Sequence, residues 1–355
     1  METLKQSIGI DISKDSFTAC LCSYYSDSTH SFTKVESFKN DKKGFNQLLR
    51  WVRKKGEKNV KIVYLMEATG VYYERLAYHL FSIKQVVHVV LPNTSKHYFS
   101  SLNIKTKTDA LDAKVLSRFG VEREHKNWTP PGKNILHLRN LTRYHVQLQE
   151  QKTALLNIQH SKEHSQDVQK FILNSNKILI TQIEKQIDKI IKQIELLIAK
   201  DEELKNKIDK ILTIKGVGLI TTVTVIAETL GFEHIKNGKQ LVSYAGYDVV
   251  QRESGTSIKG KTKISKKGNR YIRKALYFPA MSACRYNTIM KENYLRIIKK
   301  KPSKMVGQVA IQRKLLILIF TLWKNNTEYN CDYKKVVPSV KNETTQDRIP
   351  EGILL

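Results

Sequence analysis

The chain has 355 residues, 41% of them hydrophobic, and its 61 Lys and Arg against 33 Asp and Glu give a formal net charge of +28. That length predicts two or three domains with real cores. The charge points to a polyanionic partner, nucleic acid first and an anionic membrane second; clustering of the charge argues against a merely soluble basic protein.

In chain order, METLKQSIGIDIS carries no long apolar region and reads as no signal peptide. SIGIDIS alternates Ile8, Ile10 and Ile12 on one face with Gly9 and Asp11 on the other, the period of a strand. FTACLCSYY and HSFTKVESF read as two more strands, joined by SDST. GFNQLLRWVRKK reads as a helix, KIVYLMEATG as a strand ending at Glu67, VYYERLAYHLF as a helix and VVHVVLP as a strand. TDALDAKVLSRFG reads as a helix closed by Gly120. The expectation is a mixed α/β layer over residues 1–126 with antiparallel opening strands.

NWTPPGKN marks a boundary. Beyond it, Ile180, Ile183, Ile187, Ile190, Ile194 and Leu197 recur at spacings of three and four; after Asp201 the series resumes with Leu204, Ile208 and Ile211. Leu141, Leu148 and Leu155 suggest a partner helix. Residues 127–210 therefore read as a coiled coil or a long antiparallel hairpin, within one chain or as a dimer arm. From Thr213 the texture changes. Gly216-Val217-Gly218 before an apolar helix looks like a helix-hairpin-helix turn, whose backbone amides suit a phosphate; a plain glycine hinge is the alternative. The longest apolar run, residues 315–323, is far below the ~20 residues of a spanning helix and reads as a core helix. The tail at 329–355 is polar. Cys20, Cys22, Cys284 and Cys331 form no CxxC, which argues against a zinc site or disulfide framework and fits a reducing, cytoplasmic setting.

Four acids stand out. Asp109 and Asp112 lie three apart on one helical face, beside the apolar stripe of Leu111, Val115 and Phe119. Such a pair repels unless a cation joins it; Lys105, Lys107 and Lys114 supply the plainer ion-paired alternative. Asp11 lies inside a strand, where an acid is costly unless paired or metal-bound. Glu67 stands at a strand's carboxyl end, where α/β sites collect. Together the four can converge as oxygen ligands for Mg²⁺ or Mn²⁺, an arrangement suited to phosphoryl transfer on nucleic acid. In the second half, residues 252–274 carry nine Lys and Arg against one acid, Glu253. Three serines, Ser254, Ser257 and Ser265, lie in this basic stretch.

GIDISKDSF, MEATGVYYERL and KTDALDAKVL resemble the three blocks of DEDD insertion-sequence transposases, whose N-terminal domain is similar to the RuvC-type, RNase-H-like resolvases. On that resemblance the acid tetrad falls on Asp11, Glu67, Asp109 and Asp112. The segments GVGLITTVTVIAETLG, LVSYAGYDVVQRESGTSIKGKTKISKKGNRYIRKAL and AIQRKLLILIFTLWKNNTEYN resemble the family's C-terminal transposase domain, here 211–328. The resemblance implies a recombinase that moves its own element, a structured element-encoded guide RNA (the bridge RNA), divalent metal at the tetrad, and a homo-oligomer in which the tetrad of one subunit meets the serine of another. It further implies a serine nucleophile and a 5′-phosphoserine link to DNA. The family's Ser-Gly pair falls on Ser254-Gly255, with Ser257 as runner-up, while Ser265 is expected to cap the following helix. Arg252, Lys259, Lys261, Lys263, Lys266, Lys267, Arg270, Arg273, Gly216 and Gly218 are the expected nucleic-acid contacts. Tyr244, Tyr247 and Tyr271 are either core residues or stacking platforms, core being favoured. A metal-dependent junction resolvase or invertase without a serine adduct, and a non-catalytic nucleic-acid-binding protein, remain the alternatives.

Overall fold

The computed structural model describes residues 1–330, except residues 105, 107, 234, 252, 255–257, 261, 301 and 302; for Ile258 and Lys259 the backbone alone is described. Two compact units divide at Pro130 and Pro131.

The first unit is built on a six-stranded mixed sheet. Its strands are β1 (Thr3–Ile12), β2 (Ser16–Tyr25), β3 (His30–Phe32), β4 (Glu36–Lys39), β5 (Ile62–Glu67) and β6 (Val86–Val90). The order is β3-β2-β1-β5-β6, and β4 pairs with β2 as well. β2 is antiparallel to β1, β3 and β4, whereas β5 is parallel to β1 and β6. This is consistent with an RNase-H-like layer. The expected single strand HSFTKVESF is two short strands, β3 and β4, both on β2.

Alternation assigns each face its cover. Ile8, Ile10, Ile12, Tyr64 and Met66 face a core shared with α1 (Lys42–Lys55) and α2 (Glu74–Ser82). Leu65 and Val90 face the opposite core, under α3 (Pro92–Ser101) and α4 (Asp109–Glu122). α4 lies very close to β1. A Cβ on Gly9 would fall 2.0 Å from Ser117 N, and one on Gly120 would fall 2.0 Å from Ser7 Oγ. Gly120 thus lies inside α4 and does not close it; the helix runs on to Glu122, because the glycine's use here is close approach, not a left-handed cap.

The second unit is helical. α5 (Lys133–Glu163) and α6 (Lys170–Ala199) pack on each other, with Lys152 Nζ 2.7 Å from Glu184 Oε1 and Asn176 Nδ2 donating to Leu155 O at 3.0 Å. The heptad tract is therefore a hairpin within the chain. Asp201 interrupts the series because it caps α7 (Glu202–Leu212), accepting from Leu204 N. Next come α8 (Leu219–Glu228), α9 (Gly238–Ala245), the short strands β7 (Val249–Val250), β8 (Glu253–Ser254), β9 (Ile258–Lys259) and β10 (Lys263–Ile264), then α10 (Arg270–Ala275), α11 (Tyr277–Tyr286), α12 (Thr288–Lys300) and α13 (Lys304–Asn325). One core joins Leu148, Ile190 and Ile194 of the hairpin to Val225, Leu241, Leu315 and Ile319. α13 has the length and apolarity of a membrane span, yet Ile311, Leu315, Leu316 and Ile319 are fully buried in that core, as expected of the apolar run.

Candidate active site

The register places the four acids at one end of one sheet face. Ile10 pairs with Met66 in the parallel β1–β5 ladder, so Asp11 and Glu67 stand one step beyond the last paired positions. Both have the parity of Gly9 and Leu65, the face under α4. Ser7 lies under Gly120, and Gly9 under Ala113 to Ser117, so α4 runs counter to β1. Two strand residues advance about 6.6 Å, which is four to five helix residues at about 1.5 Å each. That step brings Asp11 under the first turn of α4, which holds Asp109 and Asp112. Cross-strand pairing agrees. Asp11 pairs with Thr18, and Thr18 Oγ1 donates to Asp109 O at 3.1 Å.

The helix start is locally encoded. Thr108 caps α4, accepting from Leu111 N at 3.2 Å. Acids in a first turn are also favoured by the helix dipole, a stabilising role that coexists with any ligand role. Lys114, one of the expected ion-pair partners, points instead over the Phe32 ring, 4.5 Å from its centroid. Lys105 and Lys107 lie outside the described residues.

Besides Thr18, three further residues hold this end together, and sequence reasoning missed all four. Ser95, 1% exposed on α3, donates to Glu67 Oε2 at 2.6 Å, and Thr69 Oγ1 donates to Glu67 Oε1 at 3.2 Å. Buried Asn40 donates through Nδ2 to both Ser13 O, at 3.0 Å, and Tyr72 O, at 3.1 Å, tying the loop after β1 to the loop after β5. α3 itself goes unrecognised in the sequence because PNTSKHYFSS has no apolar period; Pro92 at its first position is the available signal. Tyr98 fixes α3 to α4, its hydroxyl donating to Glu122 Oε2 at 2.6 Å.

Hard carboxylate donors at strand ends and a helix start suit a divalent cation by type and by backbone position. Asp11, Glu67 and Asp112 are half-buried and Asp109 is exposed. Among the described residues, however, no three His, Cys, Asp or Glu side chains are grouped closely enough to share an ion, so the acids share an end of the sheet without closing on one point.

In the second unit, Ser254 lies exposed on a two-stranded ribbon. β7 and β10 form the base through Val249–Ile264 and Val250–Lys263; beyond it Ser254 pairs with Ile258. The base is stitched by Ser265, whose hydroxyl donates to Asp248 Oδ1 at 2.7 Å and whose N–H donates to Asp248 O at 2.8 Å. Ser265 is not the helix cap: Asn269 caps α10, accepting from Tyr271 N and Ile272 N. Ser257, Arg252 and Lys261 lie outside the described residues, and of Lys259 only the backbone is described. Lys263, Lys266, Lys267 and Arg270 are exposed on or beside the ribbon. Arg273 is half-buried, its Nη1 donating to Ala245 O at 2.7 Å.

Gly218 caps α8 with open space around it. Gly216, at φ +98°, backs onto α11, where a Cβ on it would fall 2.9 Å from Ala283 N. Beside the α10 cap an ion pair on buried Glu228 went unforeseen. Arg143 Nε and Nη2 donate to the two oxygens of Glu228 at 2.6 and 2.9 Å, and Asn269 Nδ2 donates to Glu228 Oε2 at 2.6 Å. The Tyr244 hydroxyl donates to Glu228 O, Tyr247 is a core residue bonded to Gln312, and Tyr271 lies within 5.1 Å of the Arg143 and Arg270 guanidiniums.

Comparison with known proteins supplies the family. A transposase model of the DEDD, IS110 type matches residues 8–161, and the Transposase IS116/IS110/IS902 family model matches residues 208–295. The pilin gene-inverting proteins of Moraxella lacunata and Moraxella bovis are each 30% identical over 328 residues, 92% of this chain and 98% of theirs. The Ppx/GppA family member of Aquifex aeolicus aligns over 91% of this chain and 92% of its own at 11% identity, but its TM-score of 0.22 carries no argument. With matches in both units and relatives aligned along nearly the whole length, the chain belongs to the IS110-type transposase family.

Proposed function

We propose that the chain is an RNA-guided DNA recombinase that cuts and rejoins DNA through Ser254. The carrying observation is the placement of Asp11, Glu67, Asp109 and Asp112 at one end of one sheet face, with Ser254 exposed on a basic ribbon. The four carboxylates would hold Mg²⁺ or Mn²⁺, which supplies neutralisation of charge on the reacting phosphate. Ser254 Oγ attacks phosphorus and gives up its proton to a base. The bond to the 3′ oxygen breaks, that oxygen takes a proton, and a 5′-phosphoserine link keeps the bond energy for rejoining. Lys263, Lys266, Lys267 and Arg270 steady the DNA or guide RNA backbone. Homo-oligomers bring a tetrad and a Ser254 to the same phosphate.

The test is a denaturing gel for a protein–DNA adduct, using purified protein, Mg²⁺, the element's flanking RNA and cognate DNA. The adduct is expected to vanish in Ser254→Ala and persist in Ser257→Ala. Asp11→Ala is expected to abolish cleavage and keep nucleic-acid binding. Cut DNA without an adduct in any sample supports a hydrolytic, metal-dependent resolvase instead. The name of the Moraxella relatives favours one second reading, inversion of a DNA segment flanked by two sites. A substrate with two inverted sites separates it from transposition.

A further inference from the structure

At the other end of the first unit's sheet lies a cleft of about 810 Å³ between the C-terminal parts of α1 and α2. Its floor is apolar, made by Leu49, Val52, Ile62 and Tyr64. Its rim carries Arg53, Lys58, Lys61 and Lys84, all exposed. Among the described residues none of these four forms an ion pair. Glu57, the single acid on the rim, accepts from the Thr3 hydroxyl at 2.6 Å. Arg53 stands in the last turn of α1 and offsets its dipole. Lys84 follows the α2 C-cap Ile83 and Lys58 lies two residues past the α1 C-cap Gly56, so both stand near a helix C-terminus as well; Lys61 does not. His79 also lines the cleft, and its Nε2 is shielded from solvent with no hydrogen-bond partner among the described residues.

We propose that this cleft binds a single strand of nucleic acid, with phosphates on the four cations and a base over the apolar floor. Unpaired cations round an apolar floor match a ligand that is charged along one edge and flat and apolar along the other. A duplex presents only the charged edge. The cleft opens at the amino ends of β5 and β6, by Ile62 and Val86, while Glu67 is at the carboxyl end of β5. Five strand steps, about 17 Å, separate the two ends. The nucleotides held here are therefore held away from the carboxylates. The proposal rests on the chain acting on nucleic acid, and not on the roles of the carboxylates or Ser254.

The test is fluorescence anisotropy of the full chain with labelled 12-mers of single-stranded RNA, single-stranded DNA and duplex DNA, across a salt series. The triple variant Arg53→Gln, Lys61→Gln, Lys84→Gln is compared with a control of equal charge loss, Lys34→Gln, Lys42→Gln, Lys43→Gln. The cleft variant is expected to weaken single-strand binding at least about tenfold and to lower the salt slope by about two, while the control changes little. The stronger loss between the RNA and DNA arms identifies the strand held. Equal effects of the cleft and control variants, or a loss confined to duplex, overturn the proposal. A wild-type chain that binds none of the probes overturns both this and the recombinase reading; wild-type binding with an unaffected cleft variant overturns this one alone.

Discussion

Thr18 joins two of the acids through different atoms: its backbone pairs with Asp11 across the β1–β2 ladder, and its hydroxyl donates to the main-chain oxygen of Asp109 at 3.1 Å. One residue thereby sets the start of α4 against the end of β1. Thr18→Val keeps the β-branched shape and removes the hydroxyl. The expected stability loss is small, about 1 kcal/mol, while metal-dependent cleavage falls well beyond what that loss explains. Thermal melts and single-turnover cleavage measure the two. Unchanged cleavage makes Thr18 a purely structural residue.

Ser95 bears on Glu67 in the same way. Its buried hydroxyl holds Glu67 Oε2 at 2.6 Å. Supporting bonds of this kind commonly govern ligand affinity. Ser95→Ala is expected to raise the Mg²⁺ concentration for half-maximal cleavage about tenfold. Glu67→Gln is expected to abolish cleavage at any Mg²⁺ concentration. A Ser95→Ala chain with an unshifted Mg²⁺ curve removes the positioning role.

The Arg143–Glu228 pair makes a prediction about the second unit. Glu228→Ala leaves Arg143 and Asn269 without their shared acceptor. The Arg143 side chain is 40% exposed and can turn to water, so the cost is at the lower end for a buried pair, about 2–3 kcal/mol. Urea titration is the measurement. Because Asn269 also caps α10, next to the ribbon of Ser254, adduct formation is expected to fall in the variant at temperatures where it remains folded.

Stability of the first unit should depend on pH through two histidines. Burial lowers the pKa of His88 and of His125 below the ordinary imidazole value. The unfolded chain then takes up protons more readily than the folded one, so stability rises with pH. Their contribution is complete above about pH 6.5 and is lost as pH falls through that value toward the depressed folded ones. Melting temperatures from pH 8 to pH 5 should fall, and less steeply in a His88→Gln, His125→Gln chain. Equal slopes in both chains assign the effect elsewhere.

Cys20 and Cys22 should be inert in the folded state. Burial raises both thiols, Cys22 to about 12. A Cys284→Ser, Cys331→Ser chain is expected to give no rapid reaction with a thiol reagent at pH 8 until denatured. Fast labelling of the native variant would show that β2 opens readily.

Much of the fold is legible in the sequence where its signals are local. The Ile8–Ile10–Ile12 alternation predicts a strand, and the apolar stripe of TDALDAKVLSRFG predicts α4. The heptad isoleucines predict a helix, and Asp201 marks a break that is a cap. Errors arise where two physical uses of one residue compete. Gly120 reads as a stop and is a contact surface for Ser7. Ser265 reads as a helix cap and stitches the ribbon base to Asp248, leaving the cap to Asn269.

By itself, the sequence determined which residue types were available: four acids in three separate blocks, a serine within a basic stretch, and a periodic apolar tract. These follow from side-chain chemistry and from periods of two and about 3.6, which a linear string displays. Tertiary structure alone decided what they meet. Ladder register aligned Asp11 with Glu67, the glycine contact under α4 fixed where Asp109 and Asp112 came down, and an unheralded helix brought Ser95 to Glu67. The same holds for the hairpin. An apolar stripe needs a partner, but its period does not say which one; α5 packs against α6, and both against the core of α8 and α13, within this chain. Contacts between residues distant in sequence depend on the summed burial of the whole unit, and no local stretch encodes that sum.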